Sequence, residues 1–198
     1  MGNASTIQLL AWLAIFAVVI HAVATVLLHW LVPSVNPLSE MVGAYLNSEY
    51  QWLSRITFAA LALALGFLGA ALVLRQAQGP LFIAALVLVA IAAIGLLGAA
   101  AAPGSVRVFA VPAQPAAVIG ILLLSLVLWR EVPWQGVGPY LLGISFALVA
   151  LFFATIVLRV IVSAGFGGLA NRVVLILMYS WVLLVARGLI IEADAGAA

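Results

Sequence analysis

The ionisable side chains of this chain are few enough to be considered one by one. The 198 residues include seven arginines, no lysine, five acidic residues and two histidines. An arginine fork suits phosphate and carboxylate groups, so a cluster of arginines beside glutamates would suit the headgroup of a lipid. We therefore take the following as the candidate lipid-binding cluster: Glu40, Glu49, Arg55, Arg107, Arg159 and Arg172.

Few residues of this sequence are candidates for catalysis or metal binding. His21 and His29 lie on one predicted helix, eight residues and about 12 Å apart. Because no second helix carries a histidine, bis-histidine haem is excluded, and a single-histidine ligand is the less favoured alternative. Cysteine is absent, which removes thiolate metal sites and disulfides. Ser54 and Ser163 lack a converging base and acid. We expect no metal, no cofactor and no catalytic set.

Aromatic and histidine side chains supply the candidates for lining a ligand cavity. These are His29, Tyr45, Trp52 and Trp181. For Trp181, which lies inside a predicted membrane span, aromatic packing is the favoured interpretation and cavity lining the alternative.

Composition indicates that lipid surrounds most of the chain. The sequence is 68% hydrophobic with a mean hydropathy of +1.39, and only 6% of its residues are charged. A soluble domain carries about 25% charged residues. So few polar groups cannot cover a surface that faces water. The arginines are scattered singly rather than gathered in a basic stripe, which argues against nucleic-acid binding.

Six apolar runs are long enough to cross a bilayer, which takes about 20 residues. Gly and Pro separate most of them. Pro112 and Pro115 leave open whether the fourth begins near residue 115. The fold predicted is an all-α bundle in one transmembrane domain, residues 1–198, with spans at 7–32, 53–74, 81–102, 109–129, 139–162 and 172–191.

A polar stretch after the first run predicts a short amphipathic interfacial helix over about 37–50. Apolar residues recur at helical spacing there, and Asn36-Pro37 is a plausible helix start. Trp30 and Trp52 flank the stretch, as residues of a membrane-interface belt would. We expect this helix to lie in the interface or over the end of the bundle.

Six spans place the loops after spans one, three and five on one side of the membrane. We call this the first-loop side, and the opposite one the second-loop side. Glu40 and Glu49 are the acids of the first-loop side, so we expect them to pair with some of Arg55, Arg159 and Arg172. The alternative is that each arginine extends to headgroups. If Arg55 and Arg159 are paired within the bundle and are left out of the count, the first-loop side has two arginines and the second-loop side three. Because arginines favour the cytoplasmic side, this count weakly favours cytoplasmic termini.

Two segments resemble a known family. They are HWLVPSVNPLSEMVGAYLNSEYQWLSR (29–55) and GFGGLANRVVLILMYSWVLLVARGL (165–189). Together they resemble the prokaryotic six-helix membrane proteins grouped as domain of unknown function 998. Members often have a serine where this chain has Gly43, and a histidine near Gln114. The resemblance implies a six-helix fold, cytoplasmic termini and a bacterial inner membrane. It implies no activity. The residues that carry it are Pro37, Ser39, Tyr45, Gly168, Leu169, Arg172 and Trp181.

These observations predict a non-enzymatic integral membrane protein that binds or moves a lipid-like molecule at the first-loop side. The alternative is an accessory subunit of a larger membrane complex, which could be energy-transducing. That alternative would use faces of small residues, such as Ala62, Gly66 and Ala70, to dock a partner. Packing within the bundle is the favoured interpretation of those faces. The expected partners are therefore membrane lipids, with other membrane subunits as the second possibility.

Overall fold

The computed structural model describes residues 2–75, 79–157 and 165–195. These residues form six long α-helices and three short 3₁₀ helices, and they contain no β-strand. All six long helices are long and apolar enough to cross a membrane. Their bounds are α1 Gly2–Leu31, α2 Gln51–Leu74, α3 Pro80–Ala101, α4 Val106–Trp129, α5 Gly138–Val157 and α6 Gly167–Ala195. The predicted all-α membrane bundle is confirmed.

The helices are arranged as a ring in chain order. Each packs against the next, α6 returns to pack against α1, and α2 also contacts α6 across the middle. The Gln8 side chain of α1 is hydrogen-bonded to Asp194 of α6, so both ends of the described chain lie on the second-loop side. The buried faces are rich in alanine, including Ala64, Ala71 and Ala85. Small side chains let membrane helices approach closely.

Only some of the small residues serve packing within the bundle. A Cβ built on Gly95 would lie 2.7 Å from the Phe109 carbonyl oxygen, so this glycine lets α3 and α4 meet. Gly66 and Gly143, in contrast, are exposed, and a Cβ on either would meet no atom within 4 Å. The favoured interpretation therefore holds for α3, whereas parts of the small-residue faces on α2 and α5 point outward.

Helix α4 runs through both of its prolines. It begins at Val106, so the alternative start near Pro115 is wrong. Proline removes a backbone hydrogen bond, but in membrane bundles close neighbouring helices can offset the loss. Helix α3 packs closely against the turn before Pro112, where Gly95 lies against the Phe109 carbonyl.

The segment after α1 does not form the predicted helix over 37–50. Residues 36–40 make a turn in which the Leu38 N–H donates to Asn36 Oδ1 (2.9 Å) and the Asn36 N–H donates to Glu40 Oε2 (2.8 Å). A 3₁₀ helix, Val42–Asn47, follows. Helical spacing predicted an inner face of Leu38, Met41, Val42, Tyr45 and Leu46; of these, Val42, Tyr45 and Leu46 are buried, whereas Leu38 is 52% exposed. The Asn36 side chain closes a local turn instead of starting an α-helix. We call residues 36–47 the cap segment.

Candidate functional sites at the two ends of the bundle

Arg172, in the second turn of α6, is the centre of the first-loop side. Its Nε donates to His29 Nε2 at 2.7 Å. One terminal nitrogen donates to the backbone oxygens of Glu40 (2.8 Å) and Gly168 (2.9 Å). The other lies 3.4 Å from the Tyr45 hydroxyl. The guanidinium fork is therefore directed into the protein, where it joins α1, α6 and the cap segment.

His29 takes part in this site as a neutral ring. Its Nδ1 lies 2.5 Å from the Thr25 carbonyl oxygen. A carbonyl only accepts, so Nδ1 carries the hydrogen and Nε2 is free to accept from Arg172. The ring also packs against Tyr45, with centroids 5.5 Å apart. Two of the predicted cavity residues, His29 and Tyr45, thus contact each other and the arginine.

The start of α6 holds the cap segment through its backbone. The Leu169 N–H donates to the Leu38 carbonyl oxygen at 3.0 Å, and Asn171 Oδ1 accepts from the Val42 N–H at 3.2 Å. A Cβ on Gly168 would lie 2.5 Å from the carbonyl oxygens of both Glu40 and Pro37. This close approach of α6 to the backbone of the cap segment therefore requires glycine at position 168.

The predicted glutamate–arginine pairs of the first-loop side are wrong for Arg55 and Arg172. The Glu40 carboxylate accepts from the Asn36 N–H, and Arg172 takes only the Glu40 backbone oxygen. Exposed Glu49 forms no ion pair within the described residues. Exposed Arg55 reaches the Ala101 carbonyl at 3.5 Å. The error has a geometric cause. Two residues on the same side of the membrane become partners only if the path of the loop and the rotation of each helix about its axis bring their side chains together.

Trp52 and Trp181 lie apart from this site. Trp52 is 59% exposed on α2, whereas Trp181 is fully buried and donates from Nε1 to Ser125 Oγ at 2.8 Å. Trp181 therefore packs in the core between α6 and α4. Arg107 lies in the first turn of α4, and nothing is described of its side chain. Arg159 lies outside the described residues, as does Ser163.

The polar site that sequence reasoning missed lies on the second-loop side. Arg75, at the end of α2, lies 2.5 Å from Glu131 Oε2 and 2.7 Å from Glu192 Oε2. Its guanidinium carbon is also 5.5 Å from the centroid of the buried Trp134 ring. Sequence position did place Arg75, Glu131 and Glu192 on one side. What it lacked was any signal that these three side chains converge. We call them the Arg75 triad.

The Arg75 triad is electrostatically strong because it is sheltered. The Arg75 side chain is only 11% exposed. Burial alone would lower the pKa of its guanidinium, but the bonds to Glu192 and Glu131 outweigh burial and raise that pKa. Arg75 therefore stays charged and holds together the ends of α2, α4 and α6.

His21 occupies the interior, between the two sides. Its Nδ1 donates to the Thr57 carbonyl oxygen of α2 at 3.0 Å, and its ring meets Tyr179 of α6 edge-on at 5.3 Å. In the described parts of the chain, no three histidine or acidic side chains are grouped so as to hold a metal ion. The buried histidine therefore joins α1, α2 and α6.

Comparison with known proteins identifies the family. The family model described as Protein of unknown function (DUF998) matches residues 15–188. The chain belongs to the DUF998 family. The DUF998 match includes His29, Arg75 and Arg172 and ends before Glu192. No match was found among curated proteins or among solved structures.

The structure gives a physical meaning to the two segments that resemble DUF998 proteins. They meet at the first-loop side, where Arg172 reaches Tyr45 and Gly168 lies against the backbone of Pro37 and Glu40. The motif residues of this DUF998 protein thus fix the cap segment to the bundle.

Proposed function

We propose that this DUF998 protein is a non-enzymatic membrane protein that binds anionic lipid headgroups at its first-loop side. The distribution of formal charge supports the proposal. By sequence, four arginines and two glutamates belong to that side, a surplus of two positive charges. The second-loop side has three arginines and three acids, which cancel. The whole net charge of +2 therefore lies where we propose that anionic lipid binds.

Arg55 is the single residue that best supports the proposal. It is exposed near the start of α2, and no carboxylate pairs with it among the described residues. Trp52 precedes it by three residues and so shares its helix face. An exposed arginine beside an interfacial tryptophan matches the boundary between headgroups and acyl chains. Arg172, in contrast, already bonds four protein groups, so its role is to hold the cap segment.

The absence of cysteine makes a direct test possible. A benzophenone attached to Ile56→Cys, an exposed position beside Arg55, would be the only thiol-linked probe in the chain. In nanodiscs containing equal phosphatidylglycerol and phosphatidylcholine, we expect it to cross-link mainly phosphatidylglycerol. Arg55→Gln should reduce that yield several-fold, whereas Arg130→Gln, on the opposite side, should not. Equal yields from both lipids, or no loss in Arg55→Gln, would contradict the proposal.

The second candidate function is that of an accessory subunit in a membrane complex. The outward-facing Gly66 and Ala70 on α2 favour it, because they leave a smooth surface on which another helix could pack. Gly66→Leu would fill that surface without disturbing the bundle. If a defined partner subunit co-purifies in a mild detergent, Gly66→Leu should release it. A monodisperse single chain, unaffected by the substitution, would argue against this function.

The proposed lipid site also bears on orientation. The expectation of cytoplasmic termini left Arg55 out of the arginine count because Arg55 was expected to be paired. The structure pairs Arg75, on the other side, with carboxylates instead. Discounting Arg75 leaves four arginines against two, which favours a cytoplasmic first-loop side. We propose that orientation in the bacterial inner membrane. An impermeant maleimide applied to intact cells should then label Gln135→Cys and spare Glu49→Cys. The reverse pattern would contradict it.

A further inference from the structure

A groove opens between the start of α5 and the last third of α6, on the second-loop side. It has a volume of about 520 Å³. Apolar side chains, among them Ile144 and Leu184, line its inner part, and Tyr140 and Arg187 lie towards its outer end.

The position of Arg187 along α6 sets the depth of the groove. Arg187 precedes Glu192 by five residues, about 7.5 Å of helix. Glu192 belongs to the Arg75 triad, which marks the polar end of the bundle. Arg187 thus lies below the triad, at the boundary of the apolar layer. Tyr140, 68% exposed in the first turn of α5, is on the opposite wall.

Arg187 differs from Arg75, the arginine of the same side that is held by ion pairs. Arg75 is paired with two carboxylates, whereas Arg187 is exposed and has neither an ion pair nor a hydrogen bond within the described residues. A guanidinium at the edge of the hydrocarbon layer is costly unless it meets an opposite charge or polar headgroups. An anion supplied by the membrane would meet that requirement.

We propose that this groove binds one anionic phospholipid of the second-loop leaflet. Its phosphate lies at the Arg187 fork, with the Tyr140 hydroxyl as a second donor, and an acyl chain lies along Ile144 and Leu184. The net charge of the headgroup is negative because a choline would bring a cation next to the arginine. This site is separate from the one at Arg55, faces the other leaflet and does not depend on it.

Gly143 shapes the part of the groove that would receive the chain. A Cβ at this position meets no atom within 4 Å, so a larger side chain would extend into the groove and not into the protein. Gly143→Leu should therefore exclude the acyl chain and leave the bundle intact. Gly66→Leu is the matched control, because it makes the same change at an exposed, open glycine on α2.

The test uses a benzophenone on Ala147→Cys, an exposed position one turn deeper along α5. The full-length protein is placed in nanodiscs of equal phosphatidylglycerol and phosphatidylcholine, and cross-linked products are identified by mass. We expect mainly phosphatidylglycerol. Arg187→Gln and Gly143→Leu should each lower its yield about tenfold, equivalent to roughly 1.4 kcal/mol of binding. Arg187→Lys should retain part of it, since the charge remains but the fork is lost.

Controls separate this site from general attraction to the surface and from the Arg55 proposal. Arg130→Gln removes another exposed arginine of the same side, and Gly66→Leu adds bulk elsewhere. Neither should change the yield, nor should Arg55→Gln. The proposal is overturned if Arg130→Gln reduces the yield as much as Arg187→Gln, or if both lipids cross-link equally. It is also overturned if the product is a covalent dimer, which would place a second chain in the groove.

Discussion

The two sides of the bundle each have a central arginine, but the partners differ. Arg172 bonds a neutral histidine, two backbone oxygens and, at longer range, a tyrosine hydroxyl. Arg75 bonds two carboxylates and lies over a tryptophan ring. The first arrangement keeps its positive charge and holds a loop. The second pairs its charge with two carboxylates, which gives the triad a net charge of −1, and it joins three helix ends. The same residue type thus adds positive charge to one side and, on the other, holds together a triad that is net negative.

This difference also separates the roles of the exposed arginines. On the first-loop side Arg55 adds to an existing positive surplus, so its field reaches outward to the lipid surface. On the second-loop side two of the acids pair with Arg75, and exposed Arg187 has no carboxylate partner among the described residues, so we propose a local anion within the groove. We propose that one side attracts a charged leaflet and that the other holds a single lipid.

The largest expected effect is loss of the Arg75 triad. Arg75→Gln leaves two glutamates close together without a cation, and breaking a sheltered pair in this way costs about 3 kcal/mol. Unfolding by SDS, followed by tryptophan fluorescence, would measure it. Arg130→Gln should change stability by less than about 0.5 kcal/mol. Adding Glu131→Gln and Glu192→Gln to Arg75→Gln should recover part of the loss, and no recovery would contradict the role of the unpaired carboxylates.

A smaller and more local effect is expected on the opposite side. Arg172→Gln removes charge-assisted hydrogen bonds to the cap segment, at a cost of about 2 kcal/mol. Because those bonds hold a loop, hydrogen exchange should rise in residues 36–47 and little elsewhere. Arg55→Gln serves as the control and should leave that exchange unchanged. If Arg172→Gln accelerates exchange throughout the bundle, the two arginines do not differ as described.

The two glycines near the ends of α6 sharpen the comparison. A Cβ at Gly168 meets backbone oxygens of the cap segment, whereas a Cβ at Gly188 meets the Trp134 ring, each at 2.5 Å. Overpacking of this kind costs about 1–2 kcal/mol. Gly168→Ala should loosen the cap segment in hydrogen exchange, and Gly188→Ala should shift tryptophan fluorescence. Gly104→Ala, in open space, should do neither. If Gly168→Ala instead shifted tryptophan fluorescence and Gly188→Ala instead loosened the cap segment, the contacts described for the two glycines would be refuted.

The smallest effect is expected in the core, away from both sides. Ser125 and Ser145 are both buried and both bond the carbonyl four residues earlier, but only Ser125 also accepts from Trp181. Ser125→Ala should therefore cost about 1 kcal/mol, because it leaves a buried indole N–H unpaired. Ser145→Ala should be nearly neutral. Equal losses in SDS unfolding would show that the Trp181 bond adds nothing.

The sites show where prediction from sequence stopped. Spacing placed five apolar residues on an inner face, of which Val42, Tyr45 and Leu46 are buried but Leu38 is exposed. The helix is limited to the 3₁₀ helix Val42–Asn47 because Asn36 and Glu40 close a turn. Topology grouped Arg172 with Glu40, and they do meet. The contact uses the backbone oxygen instead of the carboxylate. Which atom of a residue is presented depends on the loop path, which helical periodicity does not record.

The sequence by itself determined that lipid surrounds the chain, that there are six spans, and that Arg75, Glu131 and Glu192 lie on one side. Those properties depend on local composition: a run of about 20 apolar residues crosses the bilayer whichever other helices it packs against. Only the tertiary structure decided that Arg75 has two carboxylates while Arg172 has a histidine and carbonyl oxygens. Such pairings depend on rotation of each helix about its axis and on loop geometry to within a hydrogen-bond length. Residues far apart in the chain must converge before either site exists.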